Sequence, residues 1–166
     1  MRKLLIGGVL AALIAALSAC GGSSGSSESD EAMQRQVDIY EIGQIETDFH
    51  ESMAKKDIDQ MMSLWTSNAT FTYGPGQTAK GAEEIRQVWL NAPAWEPGTH
   101  WLSDHPAYKL RVTVNGDRGT LHFECHFIDI DTGKVAAVTA GDFDVARIDN
   151  RWLITKMVGG TTELAI

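Results

Sequence analysis

The apolar positions Ile42, Ile45, Phe49 and Met53 recur three and four residues apart, which is one face of an α-helix and predicts a helix over residues 37–55. A second, shorter pattern puts Ile58, Met61, Met62 and Trp65 on one side of a helix over 58–65, with Asp57 placed to cap its start. The period then changes. Thr66-Ser67-Asn68 carries turn chemistry, and residues 69–73, A-T-F-T-Y, are β-branched and aromatic as strands are. Gly74-Pro75-Gly76 interrupts that strand. From Gly81 helical spacing returns at Ile85, Val88 and Trp89, with Glu83 and Glu84 in the first turn, where the helix dipole favours acids.

Beyond this third helix, residues 91–99 form a connection containing Pro93, Trp95 and Pro97, and the rest of the chain is read as strands: 100–106, 108–114, 119–130, 135–148 and 151–158. Asn115-Gly116, Asp131-Thr132-Gly133 and Asp149-Asn150 fall between them as hairpin turns, so the pattern alone predicts an α+β domain with an antiparallel sheet. Parity assigns the faces. Leu121, Phe123, Cys125 and Phe127 share one, expected toward the helices, while His122, Glu124 and His126 share the other, together with Asp142 and Asp144 on the next strand. His-x-Glu-x-His invites a metal reading, but residues four apart on a strand are about 13 Å apart, too far for both imidazoles to reach one ion at ~2.1 Å. No metal site is therefore expected. Gly141, in mid-strand, reads as a bend.

Several polar residues near the core read as structural. Asp57 and Asp59 are a cap and an exposed first-turn acid. His50 sits about 100° around its helix from Phe49 and is expected at the rim or surface. Cys125, on the apolar face of its strand, reads as a small core residue.

Ahead of the domain, Met1-Arg2-Lys3 is basic, residues 4–17 are apolar, and Leu17-Ser18-Ala19-Cys20 has the form of a lipobox. Residues 1–19 are thus expected to be a lipoprotein signal peptide. Cys20 is expected to be the lipidated first residue, residues 20–30 a glycine-serine tether with coil behaviour, and 31–166 the folded domain. The apolar run is shorter than the roughly 20 residues that span a bilayer. With Arg2 and Lys3 removed, the 14 basic and 22 acidic residues become 12 and 22. That excess of acid argues against nucleic acid and against a polybasic hold on lipid. The chain shows no Rossmann fingerprint, P-loop, nucleophile elbow or zinc spacing, and no cofactor is expected.

The order of elements, with L-W-x-x-x-A-T-F-T-Y over 64–73 and G-A-x-x-I over 81–85, resembles the SnoaL-like branch of the nuclear-transport-factor-2-like superfamily across roughly residues 36–158. That resemblance implies a cone: a curved antiparallel sheet against three helices, enclosing an apolar pocket. It also places Tyr73 where ketosteroid isomerases carry their aspartate base and scytalone dehydratases a tyrosine, and His100 where those dehydratases carry a pocket histidine. The dehydratase acid would fall at Ala54, and its second histidine near Phe127. His100 and Tyr73 are the acid-base pair so implied, and Trp65, Trp89, Trp101, Phe123 and Phe143 the expected pocket residues.

Three functions remain open on these readings. One is a membrane-anchored module holding a small hydrophobic molecule. Another is a cofactor-free lyase or isomerase using His100 and Tyr73, and the third is an interaction domain that pairs, as a homodimer for example, through its outer sheet face. The location expected is the cell envelope, at the periplasmic face of the outer membrane in a Gram-negative cell, since no aspartate follows Cys20. Cys20→Ser should abolish incorporation of a fatty-acid probe and leave the protein unprocessed, because one substitution removes the acyl chains that give stable anchoring. Equal labelling of wild type and variant would refute lipidation.

Overall fold

The computed structural model describes residues 24–92, 101–103, 109–129 and 131–164. The elements run α1 (Ser24–Lys55), α2 (Ile58–Ser63), β1 (Trp65–Gly74), β2 (Gln77–Lys80), α3 (Gly81–Asn91), β3 (Trp101–Ser103), β4 (Lys109–Asn115), β5 (Arg118–Asp129), β6 (Val135–Ile148) and β7 (Arg151–Glu163). Among the described residues no helix is long and apolar enough to cross a membrane.

Helix α1 begins well before the periodic stretch, so residues 24–30, expected as coil, are helical. Nucleation is the costly step in a helix; once the packed part beyond Val37 is formed, each further residue upstream adds one hydrogen bond at little cost. The helix ends where Lys56 takes a left-handed φ of 56° and the Asp57 amide bonds the Ser52 carbonyl at 2.8 Å. Asp57 then caps α2 as expected, its carboxylate accepting from the Gln60 amide at 2.9 Å. Helix α2 stops at Ser63, short of the expected Trp65. The Leu64 carbonyl accepts from the Ile154 amide, and Trp65 lies beside Ile154 in the sheet, so pairing overrides the helical spacing.

Among the described residues the sheet has seven strands, in the order β2-β1-β7-β6-β5-β3, with β4 also paired to β5. Every pairing is antiparallel except β1 with β7, which is parallel; this is the one departure from the expected antiparallel sheet. Gly74 and Gly76 flank a tight turn that folds β2 back on β1, a short strand not anticipated in the sequence reading.

Parity on β5 is as expected: Leu121, Phe123, Cys125 and Phe127 are buried, and His122, Glu124 and His126 are not. Phe49 of α1 meets Phe143 at 5.5 Å between ring centroids, and Phe123 meets Phe143 at 5.3 Å, forming the aromatic centre of the core. Gly141, paired with Phe123 across β5 and β6, is required there. A Cβ on it would lie 2.5 Å from Phe123 Cε1. Helix α1 is also tied to the sheet by Arg147 of β6, which pairs with the buried Asp38 and lies over the Trp152 ring at 4.8 Å.

Phe123→Ala should cost about 3–5 kcal/mol, as for other buried aromatics. Gly141→Ala should cost about 1–3 by overpacking. His122→Ala, which removes only an exposed pair with Asp142, should cost under about 1 kcal/mol. Urea denaturation checks the ranking; losses equal at 122 and 123 would reverse the assignment of faces.

Candidate functional site

Between α1, α3 and the inner sheet face lies a cavity of about 710 Å³. Phe71 of β1 and Trp89 of α3 stack in its wall with centroids 5.0 Å apart and planes at 14°, and Phe49 meets Trp89 edge-on at 5.2 Å. Offset stacked and edge-to-face pairs of this kind make a rigid apolar surface. Tyr73 is 38% exposed and leans on Phe71 at 5.3 Å between centroids, bringing its ring to the cavity wall. Polar side chains line the cavity as well, among them Thr78, Glu84, Gln87, Asn91 and Thr161. Thr139 of β6 contributes a hydroxyl, bonded to the Thr161 hydroxyl at 2.7 Å, and the Trp89 indole Nε1 is buried with no hydrogen-bond partner among the described residues.

His50 is the ionisable side chain set deepest in the wall. It is 4% exposed, with its ring edge-on to Phe123 at 5.3 Å. Its Nδ1 lies 3.0 Å from the Glu46 main-chain oxygen and 2.8 Å from Glu46 Oε1. A carbonyl oxygen only accepts, so Nδ1 carries the proton and, in the neutral ring, Nε2 is left as the acceptor. Nε2 faces Cys125 Sγ at 3.5 Å, and that sulfur is 3.6 Å from Glu46 Oε1. All three residues are buried.

The burial of His50 corrects the expectation of a rim position. A single stripe of apolar residues implies a narrow buried arc, but α1 is covered on two sides, by β5 through Cys125 and Phe123 and by α3 through Trp89, so adjacent positions 49 and 50 are both enclosed. The legible signal was Glu46 and His50, four apart and therefore stacked on one helical face.

Of the residues expected in the pocket, Tyr73 and Trp89 line it. Trp65, Phe123 and Phe143 lie in the surrounding core, Phe123 touching the cavity through His50. His100, the Trp101 side chain and Cys20 lie outside the described residues. Ala54 is exposed, and the carboxylate that pairs with His50 belongs to Glu46, two turns earlier on α1. Asp59 pairs with Arg86 at 2.8 Å, consistent with a surface role.

A curved sheet wrapped on three helices with an apolar cavity at its inner face is the cone of the nuclear-transport-factor-2-like folds. The chain belongs to the SnoaL-like domain family, which matches residues 34–158. Similar solved structures include an NTF2-like protein with a cystatin-like fold from Novosphingobium aromaticivorans, at 15% identity and a TM-score of 0.64, covering 86% of this chain and 91% of that one. A type 2 hexachlorocyclohexane dehydrochlorinase is similar at 20% identity and TM-score 0.59, covering 81% and 93%. A ketosteroid isomerase-like protein from Erwinia carotovora atroseptica is similar at 13% and 0.59, covering 76% and 97%. At such identities the likeness shows the fold alone. No curated protein matches the sequence.

On the outer face the His-x-Glu-x-His residues do not converge on one point. His122 pairs with Asp142 at 2.8 Å, and Glu124 is shared between Lys109 at 2.9 Å and His126 at 3.0 Å. The Lys109 ammonium first, then His126, hold the Glu124 carboxyl below its ordinary range. A depressed folded-state value means that Glu124 stabilises the fold above the unfolded carboxylate pKa of about 4.3, and that this contribution is lost as pH falls through the lower folded value. The stability difference between wild type and Glu124→Gln should therefore hold steady at neutral pH and shrink below about pH 4. A difference that stays constant down to about pH 3 in thermal unfolding would contradict this pairing.

Proposed function

We propose that the domain binds a small, mostly apolar molecule that carries one or two hydrogen-bonding groups, and that it does so from a lipid anchor at Cys20 in the cell envelope. The observation that carries this reading is the cavity itself: about 710 Å³, within the range of small-molecule sites, walled by stacked Phe71 and Trp89 with Phe49, Met53 and Val88, and carrying polar side chains that include His50, Tyr73, Thr139, Glu84 and Gln87. The Thr139 and Thr161 hydroxyls, both on the cavity wall, suit a carbonyl or hydroxyl on an otherwise apolar ring system. The acidic excess of the chain and Glu84 on the wall, with no lysine or arginine among the described lining residues, disfavour anionic ligands.

The buried Glu46–His50 pair supports a second reading, proton transfer on the bound molecule. An imidazole held by a carboxylate at 2.8 Å, beside a tyrosine on the same wall, is the equipment for enolisation or elimination without a cofactor. The dehydrochlorinase among the similar structures is compatible with such chemistry, as is the isomerase-like protein.

Native mass spectrometry of the full chain, purified from its host in mild detergent, should show a retained small molecule. Trp89→Ala, which removes the stacked wall, should weaken its binding about 10-fold, as loss of an aromatic pair implies. If the bound molecule is also a substrate, it should exchange a carbon-bound hydrogen in D₂O, at a rate lowered about 10²-fold or more by His50→Gln. No retained molecule, together with equal affinity of wild type and Trp89→Ala for apolar probes, would refute the binding reading.

A further inference from the structure

We propose that Glu46, His50 and Cys125 form a site for a divalent cation of the zinc type, set against the wall that His50 contributes to the cavity. Each residue offers one ligand atom, and these atoms all lie within 4.8 Å of one another. The distances have a specific meaning. An ion bound at about 2.3 Å to sulfur and about 2.0–2.2 Å to nitrogen or oxygen in a tetrahedral arrangement sets its sulfur about 3.5 Å from each of the other ligands. Cys125 Sγ lies 3.5 Å from His50 Nε2 and 3.6 Å from Glu46 Oε1.

The surroundings of His50 agree with this assignment. Ligating histidines characteristically give their second ring N–H to a carbonyl or carboxylate, which fixes the tautomer and aims the other nitrogen at the ion. Here the Glu46 main-chain oxygen, 3.0 Å from Nδ1, does that, and Nε2 faces the sulfur. On loading, the Glu46 carboxylate turns from Nδ1 toward the ion and Cys125 releases its proton to solvent. A thiolate, a carboxylate and a dication then sum to zero charge, a balance that a buried site requires. Two ligands stand four apart on α1 and the third on β5, so packed elements rather than loops hold all three. Thiolate with imidazole selects zinc-like ions over magnesium or calcium, which take oxygen ligands.

This site was hidden from the sequence because its members are far apart, 46 and 50 against 125, and none belongs to a zinc spacing. It stands apart from the binding reading of the cavity, and it competes with the proton-transfer reading, since an imidazole with Nε2 on an ion is no longer a base.

Cobalt titration of the full chain, stripped with a chelator, tests it. One equivalent of Co²⁺ should produce a thiolate-to-cobalt charge-transfer band in the near ultraviolet with visible bands of low-symmetry cobalt, and Zn²⁺ should displace it. The band should disappear in Cys125→Ser and persist in Cys20→Ser. His50→Gln and Glu46→Gln should each weaken binding at least about 100-fold, more than loss of an outer-shell partner does. Zinc should raise the Tm of wild type and leave that of His50→Gln unchanged, a readout that stands even where Cys125→Ser fails to fold. A folded wild type that shows no charge-transfer band in excess Co²⁺, a band that survives Cys125→Ser, or a Tm indifferent to zinc would each overturn the site and leave the three residues as an internal hydrogen-bonded network.

Discussion

The fold depends on the enclosure of one helix by a sheet. Phe49 of α1 meets Phe143 and Trp89 across opposite sides, and Phe123 completes the cluster from β5, so a single turn of helix joins the sheet, the third helix and the cavity wall. That enclosure needs close approach. Gly141 and Gly159, facing each other across β6 and β7, leave the space into which the Phe123 and Met157 side chains pack. Where the sheet has side chains in place of glycines, the same curvature would push α1 away and open the core.

Covering α1 on two sides has a chemical consequence. A helix that buries a narrow stripe keeps its polar residues wet, but this one takes Glu46, His50 and Ser52 inward with Ile45, Phe49 and Met53. Each buried polar group must then find a partner within the protein. Ser52 bonds the Phe49 carbonyl at 2.9 Å, and Glu46 and His50 find one another and Cys125. Chemistry at the cavity wall is thus produced by the same packing that stabilises the domain. The outer sheet face works differently: its acids and bases pair in water, where such pairs contribute little stability and set surface charge.

Membership of the SnoaL-like family accounts for the cone and its cavity but leaves the chemistry to the particular residues on the wall. In this chain a carboxylate and an imidazole, Glu46 and His50, stand together on α1. A shared scaffold with its own polar set is what a fold tolerant of many pocket linings allows.

Local spacing was enough to reveal three helices, the long hairpin strands and the inward parity of Phe123 and Cys125, because period and turn chemistry are properties of neighbouring residues. The same spacing misplaced Trp65 at a helix end, since only pairing with Ile154 of β7, some ninety residues later, draws it into the sheet. The depth of Trp65, Phe123 and Phe143 beneath the cavity wall follows from how far the sheet curls around α1, which local spacing does not carry. Spacing also put His50 at the rim. The burial of an imidazole is decided by which elements flank its helix, and that long-range fact brings Cys125 of β5 to within 3.5 Å of it. The sequence by itself determined the elements and the face each strand presents; tertiary packing alone decided which polar side chains became enclosed, because enclosure depends on contacts between segments that no local pattern relates.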